Sequence, residues 1–156
     1  MYLTSLLAAN DYVGMSFWLA TAIMLASTVF FFVERGDVAG KWRTSMTVAG
    51  LVTGIAFWHY LYMREAHLAG EVTTVFRYID WLITVPLQIV EFYLILAAVT
   101  IVPLLLFWKL LGASLLMLIF GFLGETGLFD TTLSFLFGVA AWGYIIYEVF
   151  LGEASK

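Results

Sequence analysis

Three charged side chains stand inside the third apolar run of this chain: Arg77, Asp80 and Glu91. A charge at bilayer depth costs roughly several kcal/mol and marks function by default. At about 100° per residue, Glu91 comes round to within about 20° of Asp80, so the two acids share a helix face. At about 1.5 Å of rise per residue they lie about 16 Å apart along the axis. Arg77 sits one turn before Asp80 on the same side, and Thr84 and Gln88 fill the interval between the acids. The chemistry that suits such a face is proton movement. Arg77 can hold Asp80 ionised, so that it serves as counter-ion and proton acceptor for a buried cation. Glu91 lies among Ile89, Val90, Phe92 and Leu94, where desolvation keeps a carboxylic acid protonated until a proton is demanded. An acceptor at one end and a donor at the other give transport a direction. A structural reading stays open: Arg77 and Asp80 as a packing pair, and Glu91 as a snorkelling or interhelical group. Pro86, mid-span, cannot bond the Leu82 carbonyl and opens the helix locally. Membrane helices often carry such kinks.

The surrounding sequence must place this face in lipid. Of 156 residues, 63% are hydrophobic and 12% charged, against about a quarter charged in a soluble domain. Aromatics make up 18%, with six Trp, which suits interfacial belts or a flat apolar ligand. The formal net charge of −4 argues against a nucleic-acid partner. With no Cys, disulfides, thiolate catalysis and Cys-ligated metals are excluded. Two His without a carboxylate pair make a poor metal site, and none is expected.

Five spans of about 20 residues are expected: about 12–33, 45–63, 75–99, 104–123 and 131–151. The start, MYLTSLLAANDYV, lacks a positive n-region, so the first run reads as a retained span. Arg35, Lys41 and Arg43 lie in the first connection, Lys109 near the third and Lys156 after the fifth span, whereas the opposite side carries only Arg64. The positive-inside rule then places the N-terminus outside. Short connections make successive spans antiparallel neighbours in one all-α transmembrane domain.

At this point the residues become recognisable. FRYIDWLITVPLQIVEFYLIL, from Phe76 to Leu96, closely resembles the third helix of the proteorhodopsins, a family of microbial rhodopsins. GLVTGIAFWHYLYMR, Gly50 to Arg64, resembles their second helix, and DYVGMSFWLATAIMLASTVFFFVER, Asp11 to Arg35, their first. The similarity continues through MLIFGFLGE and AAWGYIIYE into the fifth. The resemblance implies five helices of a seven-helix bundle, and a light-driven outward proton pump with retinal bound as a protonated Schiff base. It implies a transporter rather than an enzyme, multi-pass in the bacterial inner (plasma) membrane. Asp80 matches the family's acceptor and counter-ion, Glu91 its donor and Arg77 the arginine beside the counter-ion. His59 matches a histidine that tunes the acceptor's hold on its proton. Trp81, Thr84, Gln88, Met117, Gly121 and Trp142 match positions lining the retinal. A polar residue at Gln88 resembles the blue-absorbing variants. The resemblance also implies homo-oligomers of five or six, with His59 meeting Trp18 of the adjacent protomer.

Apart from the family, several of these residues read more plainly. Trp142 suits ordinary helix packing, Met117 and Gly121 have the i, i+4 spacing of close helix contact, and His59 suits an interhelical hydrogen bond. The chain departs from the family in one respect. None of Lys41, Lys109 and Lys156 fits the seventh-helix Schiff-base position, and helices six and seven are not in the sequence. On that basis Asp80, Thr84 and Glu91 are expected to face an open bundle. Two other functions fit: a retinal photosensor with a slow photocycle, for which Glu91 is unnecessary, and a non-photochemical proton-coupled transporter.

Overall fold

The computed structural model describes residue 8 and residues 10–155. Residues 1–7 and 9, used in reading the first run as a retained span, and Lys156, used in the orientation argument, lie outside the described residues. Among the described residues five helices are long and apolar enough to cross a membrane.

Helix α1 spans Tyr12–Glu34. Asp11 caps it by accepting a hydrogen bond from the Gly14 amide at 2.9 Å, which satisfies one of the free N–H groups of the first turn. That bond, aided by His67 Nε2 at 3.4 Å, holds the Asp11 carboxyl below the ordinary aspartate range. After the charged turn at Glu34–Asp37, a 3-10 turn at Gly40–Trp42 leads into α2, Arg43–Leu68. Lys41 Nζ donates to the Ala98 carbonyl at 3.1 Å and ties this connection to the end of α3.

Helix α2 outruns the expected end at Met63 by more than a turn. The polar stretch from Arg64 to Thr74 was expected to lie between the spans, but its first residues tolerate helix well and no breaker intervenes before Gly70. There the chain turns left-handed (φ 73°). Gly70 N bonds the His67 carbonyl at 3.0 Å and Glu71 N bonds the Ala66 carbonyl at 2.9 Å, the paired closure of a Schellman end. Helix α3 is Thr74–Val99 with Pro86 inside it, and α4 is Leu104–Glu125. Helix α5 is Thr131–Phe150, capped by Asp130 on the Leu133 amide at 2.8 Å.

Each helix packs on its neighbours in sequence. Small residues let the backbones approach, as interfaces between membrane helices require. A Cβ on Gly50 would come within 2.9 Å of the Phe32 ring, and Gly54 faces Thr28. Thr28 donates to Thr53 Oγ1 across the α1–α2 seam at 3.0 Å. Between α4 and α5, a Cβ on Gly124 would come within 2.7 Å of the Ser134 Cβ. Among the described residues the most completely buried large apolar side chains are Leu106 and Leu110 of α4, whose Ala113 and Leu118 are buried as well. Val29, Phe30, Leu105 and Trp108 are exposed, as side chains in contact with lipid would be.

Candidate functional site

The α3 face is closed over at its Asp80 end. Asp80 and Thr84 are each only 5% exposed, which corrects the expectation that they face an open bundle. Helix α2 supplies the cover. His59 Nδ1 lies 3.2 Å from Asp80 Oδ1 and 3.0 Å from the Ile55 carbonyl of its own preceding turn. One ring N–H cannot serve both acceptors well, and the carbonyl has the better geometry. Asp80 Oδ1 is therefore buried without a hydrogen-bond donor among the described residues. Thr84 gives its hydroxyl to the Asp80 carbonyl at 2.9 Å, so its rotamer is fixed by the helix.

Arg77 does not make the expected pair with Asp80. Its Nη2 lies 3.0 Å from Glu125 Oε1 at the end of α4, and Thr74 Oγ1 donates to the same oxygen at 3.0 Å. Glu125 is the nearer competitor because α4 ends level with the first turn of α3. Arg77 and Asp80 still line one cavity of about 300 Å³ with Tyr60 and Trp81. Glu91 is half-buried and joins none of these groups. No hydrogen-bond or ion partner meets it among the described residues.

Two further cavities gather most of the remaining candidates. The first, about 410 Å³, is lined by Asp80, Trp81, Thr84, Gln88 and Met117 of the expected set, together with Tyr60, Thr53 and Ala56 from α2. The second, about 490 Å³, lies among α3, α4 and α5 and takes in Trp81, Met117, Gly121 and Trp142. Trp81, Met117 and Leu118 belong to both, so they form the wall between two lobes. Gly121 has a local reason: a Cβ there would strike the Tyr78 hydroxyl at 2.8 Å. Tyr78 stands edge-on to both Trp81 and Phe122 at 5.2 Å.

Tyr78, Ser134, Phe135, Gly138 and Val139 also line the second lobe and were not anticipated. The signal was present in the spacing, because Ser134, Gly138 and Trp142 recur every fourth residue on one face of α5. Trp18 is 51% exposed, and the Arg64 guanidinium lies over its ring at 4.4 Å. Lys109, anticipated only as a marker of orientation, bridges Glu153 at 3.0 Å and Glu148 at 3.4 Å.

A bundle of membrane-length helices, apolar outside and with a buried carboxylate beside an aromatic-lined two-lobed cleft, defines a helical integral membrane protein. The chain belongs to the bacteriorhodopsin-like protein family, whose model matches residues 11–156. It is 63% identical over 147 residues to the blue-light absorbing proteorhodopsin of Gamma-proteobacterium Hot 75m4, covering 94% of this chain and 59% of that protein. It is 62% identical to the green-light absorbing proteorhodopsin of Gamma-proteobacterium EBAC31A08, covering 96% of this chain and 61% of that protein. The crystal structure of blue light-absorbing proteorhodopsin from Med12 superposes with a TM-score of 0.83 at 70% identity, over 93% of this chain and 69% of the other. Xanthorhodopsin, described as a light-driven ion pump with dual chromophore, superposes with a TM-score of 0.79 at 33% identity, over 92% of this chain and 64% of the other. The chain thus spans about three-fifths of the length of the curated relatives it matches. The expected fold, five membrane helices of the microbial rhodopsin bundle, stands.

Proposed function

We propose that these helices belong to a light-driven outward proton pump of the bacterial inner membrane, in which this chain supplies the acceptor, the donor and part of a retinal site. The observation that carries the reading is Asp80 Oδ1, a buried carboxylate oxygen without a donor, set beside a cavity walled by Trp81 and Met117. Such an oxygen is costly unless a cation or hydrogen-bond donor meets it. The residues would fit retinal, whose Schiff base with a lysine other than Lys41, Lys109 and Lys156 would supply that cation and whose polyene would supply the response to light.

The chain's own groups divide the work. Asp80 receives a proton while His59, within 3.2 Å, adjusts how firmly it is kept. Thr84, anchored to the Asp80 carbonyl, holds the helix turn beside the acceptor. Trp81 separates the two lobes and, with Met117, Gly121 and Trp142, confines a flat apolar ligand. Gln88 lines the Asp80 lobe, where a fixed dipole stabilises the ground-state charge and favours blue absorption. The clamp of Arg77 and Thr74 on Glu125 closes the outer end. Glu91, about 16 Å inward along α3, returns a proton from the cytoplasmic side. Assembly in rings of five or six is part of the same reading. It is supported by the exposed Trp18 and by a groove of about 360 Å³ that His59 lines with Gly54 and Trp58.

Illumination of vesicles carrying the full-length protein with retinal acidifies the outer medium, an uncoupler abolishes the signal, and Asp80→Asn removes it. Acidification that persists in Asp80→Asn defeats the assignment. Visible absorbance without acidification favours a photosensor, and absence of absorbance with added retinal favours a non-photochemical transporter.

A further inference from the structure

The outer face of the α4–α5 seam carries a groove of about 350 Å³, and none of its lining residues belongs to the two lobes described above. Ala113 and Ala141 are the small side chains that leave room for it, and half-exposed Leu116 and Phe137 form its rims. At one end the Phe120 and Phe137 rings stand together, their centroids 5.0 Å apart. At the other end are Lys109 and Tyr144. From Lys109 to Phe120 is about 16 Å along α4. One leaflet of a bilayer has about 15 Å of hydrocarbon, so the groove has the depth of one leaflet. The ring contact proposed above uses Trp18 of α1 and His59 of α2 and leaves this face to lipid. Its polar end lies at the end of the bundle that carries Arg35, Lys41 and Arg43, the cytoplasmic end by the positive-inside rule.

That polar end is built from both helices. Lys109 Nζ lies 3.0 Å from Glu153 Oε1 and 3.4 Å from Glu148 Oε1. Glu148 is buried and also accepts from the Tyr144 hydroxyl at 2.8 Å and from the Glu153 amide at 3.3 Å. Gly152 permits so close a turn, because a Cβ there would come within 2.5 Å of Glu148 Oε2. Two carboxylates against one ammonium leave a negative charge at the mouth of the groove, which repels an anionic headgroup. An ammonium has three N–H donors, and the two carboxylates take two of those of Lys109. The third suits a phosphate oxygen, while the partly exposed Glu153 carboxylate suits a cation that can donate hydrogen bonds. We infer that this groove binds a phospholipid whose headgroup carries a primary ammonium, phosphatidylethanolamine, in the cytoplasmic leaflet. Its acyl chain lies along Ala113 and Ala141, and its headgroup spans Lys109 and Glu153. Phosphatidylglycerol lacks the cation, and the quaternary ammonium of phosphatidylcholine has no N–H to give.

The test strips the full-length protein of lipid in detergent. It is then offered equal amounts of phosphatidylethanolamine, phosphatidylglycerol and phosphatidylcholine with identical acyl chains, and the retained lipids are counted by native mass spectrometry. Wild type retains phosphatidylethanolamine about threefold over either competitor, the scale of one partly exposed ion pair. Glu153→Gln, on a turn outside the helices, removes that preference. Ala141→Phe fills the groove and binds one phosphatidylethanolamine fewer. Equal retention of the three lipids by wild type, or a preference for phosphatidylglycerol, overturns the site. So does a preference that survives Glu153→Gln, or an unchanged lipid count in Ala141→Phe.

Discussion

Asp80 and Glu91 occupy the same face of the same helix, yet their surroundings differ. Asp80 is sealed by α2, with His59 against it and a cavity in front of it. Glu91 is half-buried and without a partner among the described residues. The difference matches what the proposed roles, acceptor for Asp80 and donor for Glu91, would require. An acceptor must be held against one cation in a defined geometry, so its environment is built to it from several helices. A donor must keep a proton and let it go, for which an apolar neighbourhood with few competing hydrogen bonds suffices.

The substitution that presses hardest on this contrast is Glu91→Gln in the full-length protein with retinal. It slows the late, proton-returning phase of the photocycle roughly a hundredfold, the low end of what a positioned proton donor contributes, with little change of colour. Flash photolysis giving a normal late phase would reject the donor and leave Asp80 as the only working acid on the face. Gln88 lies between the two acids and tests where the Asp80 environment ends. Gln88→Leu shifts the absorption maximum to longer wavelength, and an unchanged spectrum places Gln88 outside the acceptor's field. The smallest effect belongs to a carboxylate outside the lipid. Asp11 is held below the ordinary aspartate value of 3.8, chiefly by the Gly14 amide. Its stabilisation of the α1 end is complete above that pH and is lost as pH falls through the lower folded value. Hydrogen-exchange protection at Gly14 and Met15 therefore drops on acidification in wild type and is insensitive to this step in Asp11→Ala. Equal acid sensitivity in both would show that the cap does not hold this end.

The period of the helix made much of this legible. Spans, turns and the shared face of Asp80 and Glu91 follow from hydropathy and spacing, because both are properties of one segment at a time. Contacts between segments were less accessible. Arg77 and Glu125 are 48 residues apart, and nothing local ranks Glu125 above Asp80 as the partner. The burial of Asp80 and Thr84 depends on the path of α2. That of Ser134 depends on how closely α5 approaches Gly124. The extension of α2 to Leu68 went unforeseen because polarity was read as loop, although a polar segment stays helical until something stops it.

The seam between α1 and α2 bears on how the protein is made. Phe32 against Gly50 and the Thr28–Thr53 bond lie entirely within the first two helices. This hairpin can therefore lock together during synthesis, before α3 leaves the ribosome. When the helix bearing the two acids enters the bilayer, it meets an assembled surface with His59 already in place, and its costly carboxylate is covered on arrival rather than left in lipid.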